Sequence, residues 1–534
     1  MNPPPADAPP ADAPRSPSSP EPPRGPPPSP PAAVGAEARQ AGILVVGQVL
    51  ASAADALALV FLVRLLPRAD VGVWAGVMLV HRTLVTLLAG GFPRTVLFAL
   101  ADADGGARAA IMARLDRLML GWGAGLSAIL LGVAYGARRL ADGAPDPIWA
   151  ALPFVALLPL FELPARLTPN LLLAEGRARA SAGVSVLTSI ASTSALLIPP
   201  LLGWGVEGLL VATTGVGALR LAGHLAVRRW LHGALRPTGG LGPWALVRFS
   251  LPLGLTDAIN ILNARLDLWL VLAFFGAEVV AVYKVGAWQI PLVTSLAYSI
   301  GTAYLPRLRR SFSAGRPREA IALWQASIDK VALVSVPIGA VFMVGATDFV
   351  RVAFGEAFVA AAPVLRAYAF LTGARVAAFG AVMVAAGRPG YVVHAALFTL
   401  GSNLLVSLPL TLALGTVGPA LGTAIAFVPT VAFYCWFIAR AAGRPLTTIF
   451  PLRRVLRVVA VVLGPALLAG GLRSALPLHP LVGFGLTTGT ILLGFSALGT
   501  ATRLITPDDW RYAASWVSLR ILREPRTGAK PPPA

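Results

Sequence analysis

Polar side chains recur at helical spacing in two otherwise apolar stretches of the chain. One stretch carries Gln48, Ser52 and Asp55, and the other carries Thr256, Asn260, Asn263 and Asp267. Residues spaced i, i+4, i+7 and i+11 share one face of an α-helix. Such a polar face in a membrane helix either hydrogen-bonds a neighbouring helix, at about 0.6–2 kcal/mol per contact, or lines a wet cavity. The spacing leaves both readings open for the amides and hydroxyls, and it favours a cavity for the two carboxylates.

Four arginines also lie deep in apolar sequence: Arg82, Arg166, Arg265 and Arg375. An ionised group at the centre of a bilayer costs about 2.5–3.5 kcal/mol on insertion scales, so such groups mark sites or internal ion pairs. Glu162 stands four residues before Arg166 and can neutralise it on one helix face. Arg82 and Arg375 have no acid close by in the sequence, which favours a functional role for them.

Arg265 lies among the members of the second polar stripe but not on their face. At about 100° per residue it points away from Asp267 and its partners. We therefore expect its guanidinium to contact another polar helix or to extend toward the membrane interface, although a place in a cavity stays open.

The elements that position these residues are membrane helices. The chain has 534 residues, of which 56% are hydrophobic and 13% charged, and its mean hydropathy is +0.72. Soluble cores cannot hide that much apolar surface. Apolar stretches of about 20 residues, the length that spans a bilayer as a helix, recur from Gly42 to about Thr500. The composition predicts an all-α polytopic membrane protein.

The sequence predicts fourteen membrane spans. They lie near 42–63, 71–91, 118–135, 148–173, 180–202, 206–227, 248–275, 279–304, 328–350, 359–385, 390–414, 418–440, 455–474 and 480–500. Arginines concentrate in the loops after the even-numbered spans, which the positive-inside rule places in the cytoplasm together with both termini. This loop pattern also accounts for the net charge of +20 without a nucleic-acid partner.

Two terminal segments and one cysteine complete the outline. Residues 1–38 are rich in Pro, Ala and Ser, a composition that predicts a disordered cytoplasmic tail. Residues 503–534 form a second predicted cytoplasmic tail. The single cysteine, Cys435, supports neither a disulfide nor a metal site, and no metal centre is expected.

The apolar sequence contains a duplication. Gly176 and Gly208 match Gly387 and Gly418 at offsets of 211 and 210, and a shift of 208 brings Asp55 onto Asn263. Each half then holds six spans, an even number, so the halves insert in the same orientation as parallel repeats. The predicted units are an N-terminal six-helix lobe (40–230), a C-terminal six-helix lobe (245–442) and two additional helices (453–502). Sites are expected between the lobes near the middle of the membrane.

Residues 248–315 resemble a known pattern. The segment opens with F-x-x-P at Phe249 to Pro252, carries the mid-helix Asp267 and Phe275-Gly276, and continues with a V-x-x-Y that ends at Tyr283 and an A-x-x-P-R at 303–307. Together with the repeated G-R…G-x-x-G segments, it resembles the O-antigen-type polysaccharide flippases of the multidrug/oligosaccharidyl-lipid/polysaccharide exporter superfamily.

The resemblance implies a transporter, not an enzyme. Its substrate would be an undecaprenyl-diphosphate-linked oligosaccharide, moved across the bacterial inner membrane by alternating access for polysaccharide or lipopolysaccharide synthesis. Membrane lipids, a polysaccharide polymerase and glycosyltransferases would be its partners, and no cofactor is implied beyond a coupling proton or sodium ion.

The cavity candidates follow from that chemistry. Arginine binds phosphate through a planar fork that keeps its charge, which makes Arg82, Arg166, Arg265 and Arg375 candidates for the diphosphate. Asn260, Asn263, Gln48 and Ser52 are candidates for sugar hydroxyls. Asp55 and Asp267 are candidates for ion coupling.

Other functions are weighed against this one. An ATP-driven pump is disfavoured because the chain lacks a G-x-x-x-x-G-K-[ST] phosphate loop. A cation-coupled drug exporter of the same superfamily, an integral-membrane polymerase or glycosyltransferase, and a transport-inactive scaffold stay open. Predominantly arginine charges argue against the exporter, and short outer loops argue against the enzyme.

Overall fold

All regular secondary structure in the described part of the chain is helical. The computed structural model describes residues 54, 56–140, 146–288, 290, 304–388 and 390–511. Gln48, Ser52, Asp55, the segment 1–38 and the residues after 511 lie outside these ranges, so the predictions made for them stay predictions. The all-α fold class is confirmed.

Nine helices form the N-terminal lobe. They are α1 (Ala56–Leu65), α2 (Arg68–Ala89), α3 (Phe92–Ala101), α4 (Gly105–Leu140), α5 (Pro147–Ala151), α6 (Leu158–Ala165), α7 (Thr168–Ala174), α8 (Ala178–Leu201) and α9 (Gly205–His232). Prolines begin or interrupt several of them. Pro147 opens α5, where its missing N–H costs nothing, and Pro164 lies at the end of α6.

The C-terminal lobe and the two additional helices follow. Their helices are α10 (Pro243–Phe274), α11 (Ala277–Gly286), α12 (304–313), α13 (Pro317–Phe354), α14 (Ala362–Ala374), α15 (Phe379–Ala385), α16 (Gly390–Leu414), α17 (Gly418–Ala442), α18 (Leu452–Ala475) and α19 (Pro480–Ala501). The last two pack on α13, where Arg473 forks onto Asp348 with Nε–Oδ2 2.5 Å and Nη2–Oδ1 2.8 Å.

The described helices include ten segments long and apolar enough to cross a membrane. An eleventh, Pro147–Val155 with Leu158–Ala174, is bent by 55°. One of the ten, Gly390–Ala442, comprises both α16 and α17, which correspond to two predicted spans. The predicted first and eighth spans extend into residues outside the described ranges, so the count of fourteen stays a prediction.

The predicted repeat has a local counterpart in the backbone. α7 and α15 are both seven-residue helices, and each is followed by a glycine, Gly176 or Gly387, with φ of 71°. The next residue donates its backbone N–H to the carbonyl five residues earlier in both copies, from Arg177 to Leu172 and from Arg388 to Met383. Glycine is favoured there because side chains rarely tolerate positive φ. Superposition of the whole lobes stays a prediction.

Candidate functional site: a cationic cavity between the lobes

A cavity of about 550 Å³ lies between the two lobes. The N-terminal lobe supplies most of its wall, from α1, α2, α6, α8 and α9, and the C-terminal lobe supplies α10, α11 and α14. Trp74, Trp288 and Tyr368 give aromatic surface, while Ser192, Thr193 and Thr213 give hydroxyls. The wall thus combines flat apolar faces with scattered polar groups, as ligand sites commonly do.

Four cationic side chains line the cavity: Arg82, Arg220, Arg265 and Lys284. Within the described residues, the guanidinium groups of the three arginines make no hydrogen bond and no ion pair. Arg220 and Arg265 are each close enough to Arg82 and Arg166 to be repelled by them. Like charges held together in a partly desolvated space favour an anionic ligand.

Glu162 is the centre of an ionic network in the cavity wall. Arg166 donates from Nη2 (2.8 Å) and Nε (3.1 Å) to Glu162 Oε1. His81, whose side chain is 1% exposed, donates from Nε2 to Glu162 Oε2 at 2.7 Å. The predicted Glu162–Arg166 pair therefore forms, and His81 joins it.

Asp267 is the second acid in the cavity wall. It is 6% exposed and accepts hydrogen bonds from the Tyr283 hydroxyl (3.1 Å, to Oδ2) and the Leu268 N–H (2.7 Å, to Oδ1). A buried carboxylate with only two donors retains lone pairs for a further proton or cation. Its place in the cavity wall agrees with the expectation for a carboxylate of the stripe.

The rest of that stripe does not line the cavity. Asn263 accepts a hydrogen bond from Asn403 Nδ2 on α16 at 3.2 Å, and Asn403 in turn accepts from Ser407 and Thr423. The stripe face of α10 thus holds helices of its own lobe together. Asn260 is exposed and is not among the cavity residues.

Arg265 points away from most of the polar stripe, as its helical angle predicted, and it lines the cavity. The cavity residues of α10 are Ile261, Ala264, Arg265, Asp267 and Leu268, so the cavity face includes Arg265 and only the edge of the stripe. Of the places expected for its guanidinium, the structure shows the cavity and not the membrane interface, while Asn263 of the stripe packs against α16.

The remaining two arginines lie outside the lining itself. Arg166 does not line the cavity itself but forms an ion pair with Glu162, which does. Arg375 is exposed and does not line the cavity; its guanidinium carbon lies 6.0 Å from the Phe427 ring centroid, and it is close enough to the cavity residue Asp267 to attract it. Both cap the C-terminus of a helix, α6 and α14 respectively, which agrees with their predicted repeat relationship.

Arg220 is a functional candidate that the sequence reasoning passed over. It lies inside the predicted span 206–227, so the signal that identified Arg82, a cation within apolar sequence, was present. Only the loop arginines that follow this span, such as Arg228 and Arg229, were considered in the prediction from sequence.

Two sets of contacts join the lobes, one near each end of α2. At the N-terminal end of α2, Arg68 pairs with Glu278 and donates to the Ala357 carbonyl, while Gly72 packs directly on the Ala277 carbonyl. At the C-terminal end of α2, Thr95 and Ser250 hydroxyls lie 2.7 Å apart and Arg94 pairs with Asp257. These contacts lie at the two ends of the interface between the lobes.

Comparisons with known proteins agree with this geometry. Residues 174–477 match the family model described as Lipid II flippase MurJ. No curated protein sequence matches the chain.

Three solved structures share the fold. The lipid II flippase MurJ in an inward closed conformation has a TM-score of 0.67 at 11% identity, covering 86% of this chain and 99% of that chain. A MOP superfamily transporter from Pyrococcus furiosus has a TM-score of 0.53 at 16% identity, covering 77% and 96%. An inward-facing multidrug resistance MATE family transporter of the same superfamily has a TM-score of 0.54 at 16% identity, covering 75% and 98%.

Proposed function

The chain belongs to the lipid II flippase MurJ family, and from this membership we propose that it flips lipid II across the bacterial inner membrane. Members of this family are transporters, so the chain is a multi-pass membrane transporter of lipid-linked precursors and not an enzyme. The superfamily expected from sequence is therefore confirmed. The narrower assignment to O-antigen flippases, with a role in lipopolysaccharide synthesis and a polymerase partner, finds no support in the comparisons.

The observation that carries this proposal is the cluster of cavity guanidinium groups that make no hydrogen bond or ion pair with a described residue. Lipid II carries its glycan on a polyprenyl diphosphate, and a diphosphate diester has two negative charges. Among the described residues, the lining holds four cationic and two acidic side chains, so cations outnumber acids in this part of the wall. Arg82, Arg220 and Arg265 can each donate two parallel hydrogen bonds to phosphate oxygens.

The same wall contains groups suited to a glycan. Ser192, Thr193 and Thr213 present hydroxyls, and Thr193 Oγ1 is buried without a partner among the described residues. Trp74, Trp288 and Tyr368 present rings on which sugar faces can pack. The positive excess disfavours the organic cations that a drug exporter of this superfamily would carry.

Alternating access follows from the two sets of lobe contacts. With the predicted topology, the Arg68–Glu278 end faces the periplasm and the Arg94–Asp257 end faces the cytoplasm. The substrate headgroup enters when the Arg94–Asp257 end opens, and it leaves when the Arg68–Glu278 end opens instead.

Asp267 is our candidate for coupling this cycle to a proton or sodium gradient. A buried carboxylate in the cavity wall is the type of group that binds such an ion during transport. Purified protein in liposomes should move fluorescent lipid II faster when a proton or sodium gradient is imposed, and Asp267→Asn should remove the stimulation while keeping the basal rate. If a gradient stimulates both proteins equally, Asp267 is not the coupling residue. If the wild type does not move lipid II at all, the proposed function is contradicted.

A further inference from the structure

Glu162 is an acid in the wall of a cavity built to bind an anion. Its side chain is 13% exposed, and it faces the same space as Arg82, Arg220 and Arg265. A carboxylate there repels a diphosphate and lowers affinity for it. Its presence therefore needs a reason beyond substrate binding.

The geometry shows Glu162 acting as an anion toward the cavity cations. One oxygen accepts two hydrogen bonds from Arg166, and the other accepts one from His81. Glu162 also attracts Arg220 electrostatically. Glu162 thus accepts two hydrogen bonds from one arginine and attracts a second arginine. A phosphate group in the cavity would make similar contacts.

The fold itself does not require this acid. In the second repeat, Arg375 caps α14 as Arg166 caps α6, and the residue four positions before Arg375 is Leu371, which is 2% exposed. The equivalent helix end is thus built with a buried leucine. The acid is present in the copy whose helix end lines the cavity, and the leucine is present in the copy whose helix end does not line it.

We propose, building on the function above, that Glu162 is an internal counter-ion that the substrate diphosphate displaces. In the empty cavity the carboxylate pairs with Arg166 and attracts Arg220, both of which are partly buried, and so lowers the cost of placing these charges there. When the diphosphate binds, it forms hydrogen bonds with Arg220 and Arg82 and outcompetes the attraction between Glu162 and Arg220. The carboxylate continues to compete for Arg220, which weakens the hold on the diphosphate and promotes release on the far side.

The test is the affinity of detergent-purified full-length protein for farnesyl diphosphate, a soluble prenyl diphosphate, measured by calorimetry. Glu162→Gln keeps the shape and removes the competing charge, so we expect binding about tenfold tighter than wild type, the order of charge coupling in partly desolvated sites. Because release becomes slower, lipid II flipping by the same variant should fall several-fold at saturating substrate.

Glu175→Gln is the matched control. Glu175 also accepts from an arginine and a histidine, Arg108 (3.3 Å) and His232 (3.2 Å), but it does not line the cavity. Its variant should bind farnesyl diphosphate as the wild type does. If Glu162→Gln does not fold, Glu162→Asp, which draws the carboxylate back by one methylene, should bind about two- to threefold more tightly for the same reason.

The outcomes separate this inference from the function on which it rests. If the wild type binds the diphosphate and Glu162→Gln binds it no more tightly, Glu162 is a structural partner of Arg166 and the inference is wrong, although diphosphate recognition stands. If neither protein binds it, diphosphate recognition by the cavity fails. Equal tightening by Glu175→Gln would also overturn the inference, because the effect would then be one of overall charge.

Discussion

Arg82→Ala is expected to reduce lipid II flipping by about tenfold to a hundredfold, since a charge-assisted hydrogen bond contributes about 1.5–3 kcal/mol. Arg82 lines the cavity, and its guanidinium makes no hydrogen bond to a described residue. Its loss therefore removes phosphate contacts without leaving a partner unsatisfied, and the thermal stability of the protein should change little. Arg82→Lys should restore only part of the activity, because an ammonium group supplies the charge without the fork.

Arg375→Ala is the matched control for this prediction. Arg375 also lies deep in apolar sequence and attracts Asp267, but it is exposed and does not line the cavity, so it cannot contact a ligand there. Its variant should flip lipid II within about twofold of the wild-type rate, as expected for a residue outside the site. Both rates are measured in liposomes with well-folded protein. Equal losses in the two variants, or none in Arg82→Ala, would contradict diphosphate binding by the cavity arginines.

Gly72→Val is expected to abolish transport by preventing closure at the Arg68–Glu278 end. A Cβ atom at Gly72 would lie 1.8 Å from the Ala277 carbonyl oxygen, and a backbone atom cannot rotate away. Overpacking of this kind costs about 1–3 kcal/mol or more, which is sufficient to invert an equilibrium between two states of similar energy. The lobes should then stay apart at this end.

Chemical cross-linking reports that separation. In a Cys435→Ala background, cysteines introduced at Arg68 and Glu278 should be joined by a short bifunctional thiol reagent, because the two long native side chains meet at their tips in an ion pair and leave a gap too wide for a direct disulfide. Adding Gly72→Val should suppress the cross-link. Gly125→Val is the control, since a Cβ at Gly125 meets nothing within 4 Å. Wild-type transport and intact cross-linking in Gly72→Val would show that this contact is not part of the cycle.

Helical periodicity predicted which residues share a face but not what that face meets. Thr256, Asn260, Asn263 and Asp267 were grouped by spacing, and Asn263 instead meets Asn403 on α16. The identity of a facing helix depends on long-range packing, which a single helix does not encode. Arg265 lines the cavity because it points away from the polar stripe, and Asn263 of that stripe packs within its own lobe. This packing could not be read from the sequence of α10 alone.

Features that depend on local sequence were predicted more fully. The Glu162–Arg166 pair required only i, i+4 spacing, and the backbone at Gly176 and Gly387 follows from a helix end that needs positive φ. By contrast, the approach of Gly72 to Ala277 joins residues about 200 positions apart. Nothing in either local sequence indicates that contact.

The leaflet in which lipid II resides during depletion of this protein is the most direct test of the proposed function. In cells of the source organism, lipid II should accumulate and become inaccessible to a probe added outside the inner membrane, and re-expression of the wild type should restore access. Re-expression of Arg82→Ala should not restore it, while polyprenyl-diphosphate-linked O-antigen units should stay accessible throughout. Lipid II that remains accessible after depletion, or O-antigen units that become trapped in its place, would contradict the assignment of lipid II as the substrate.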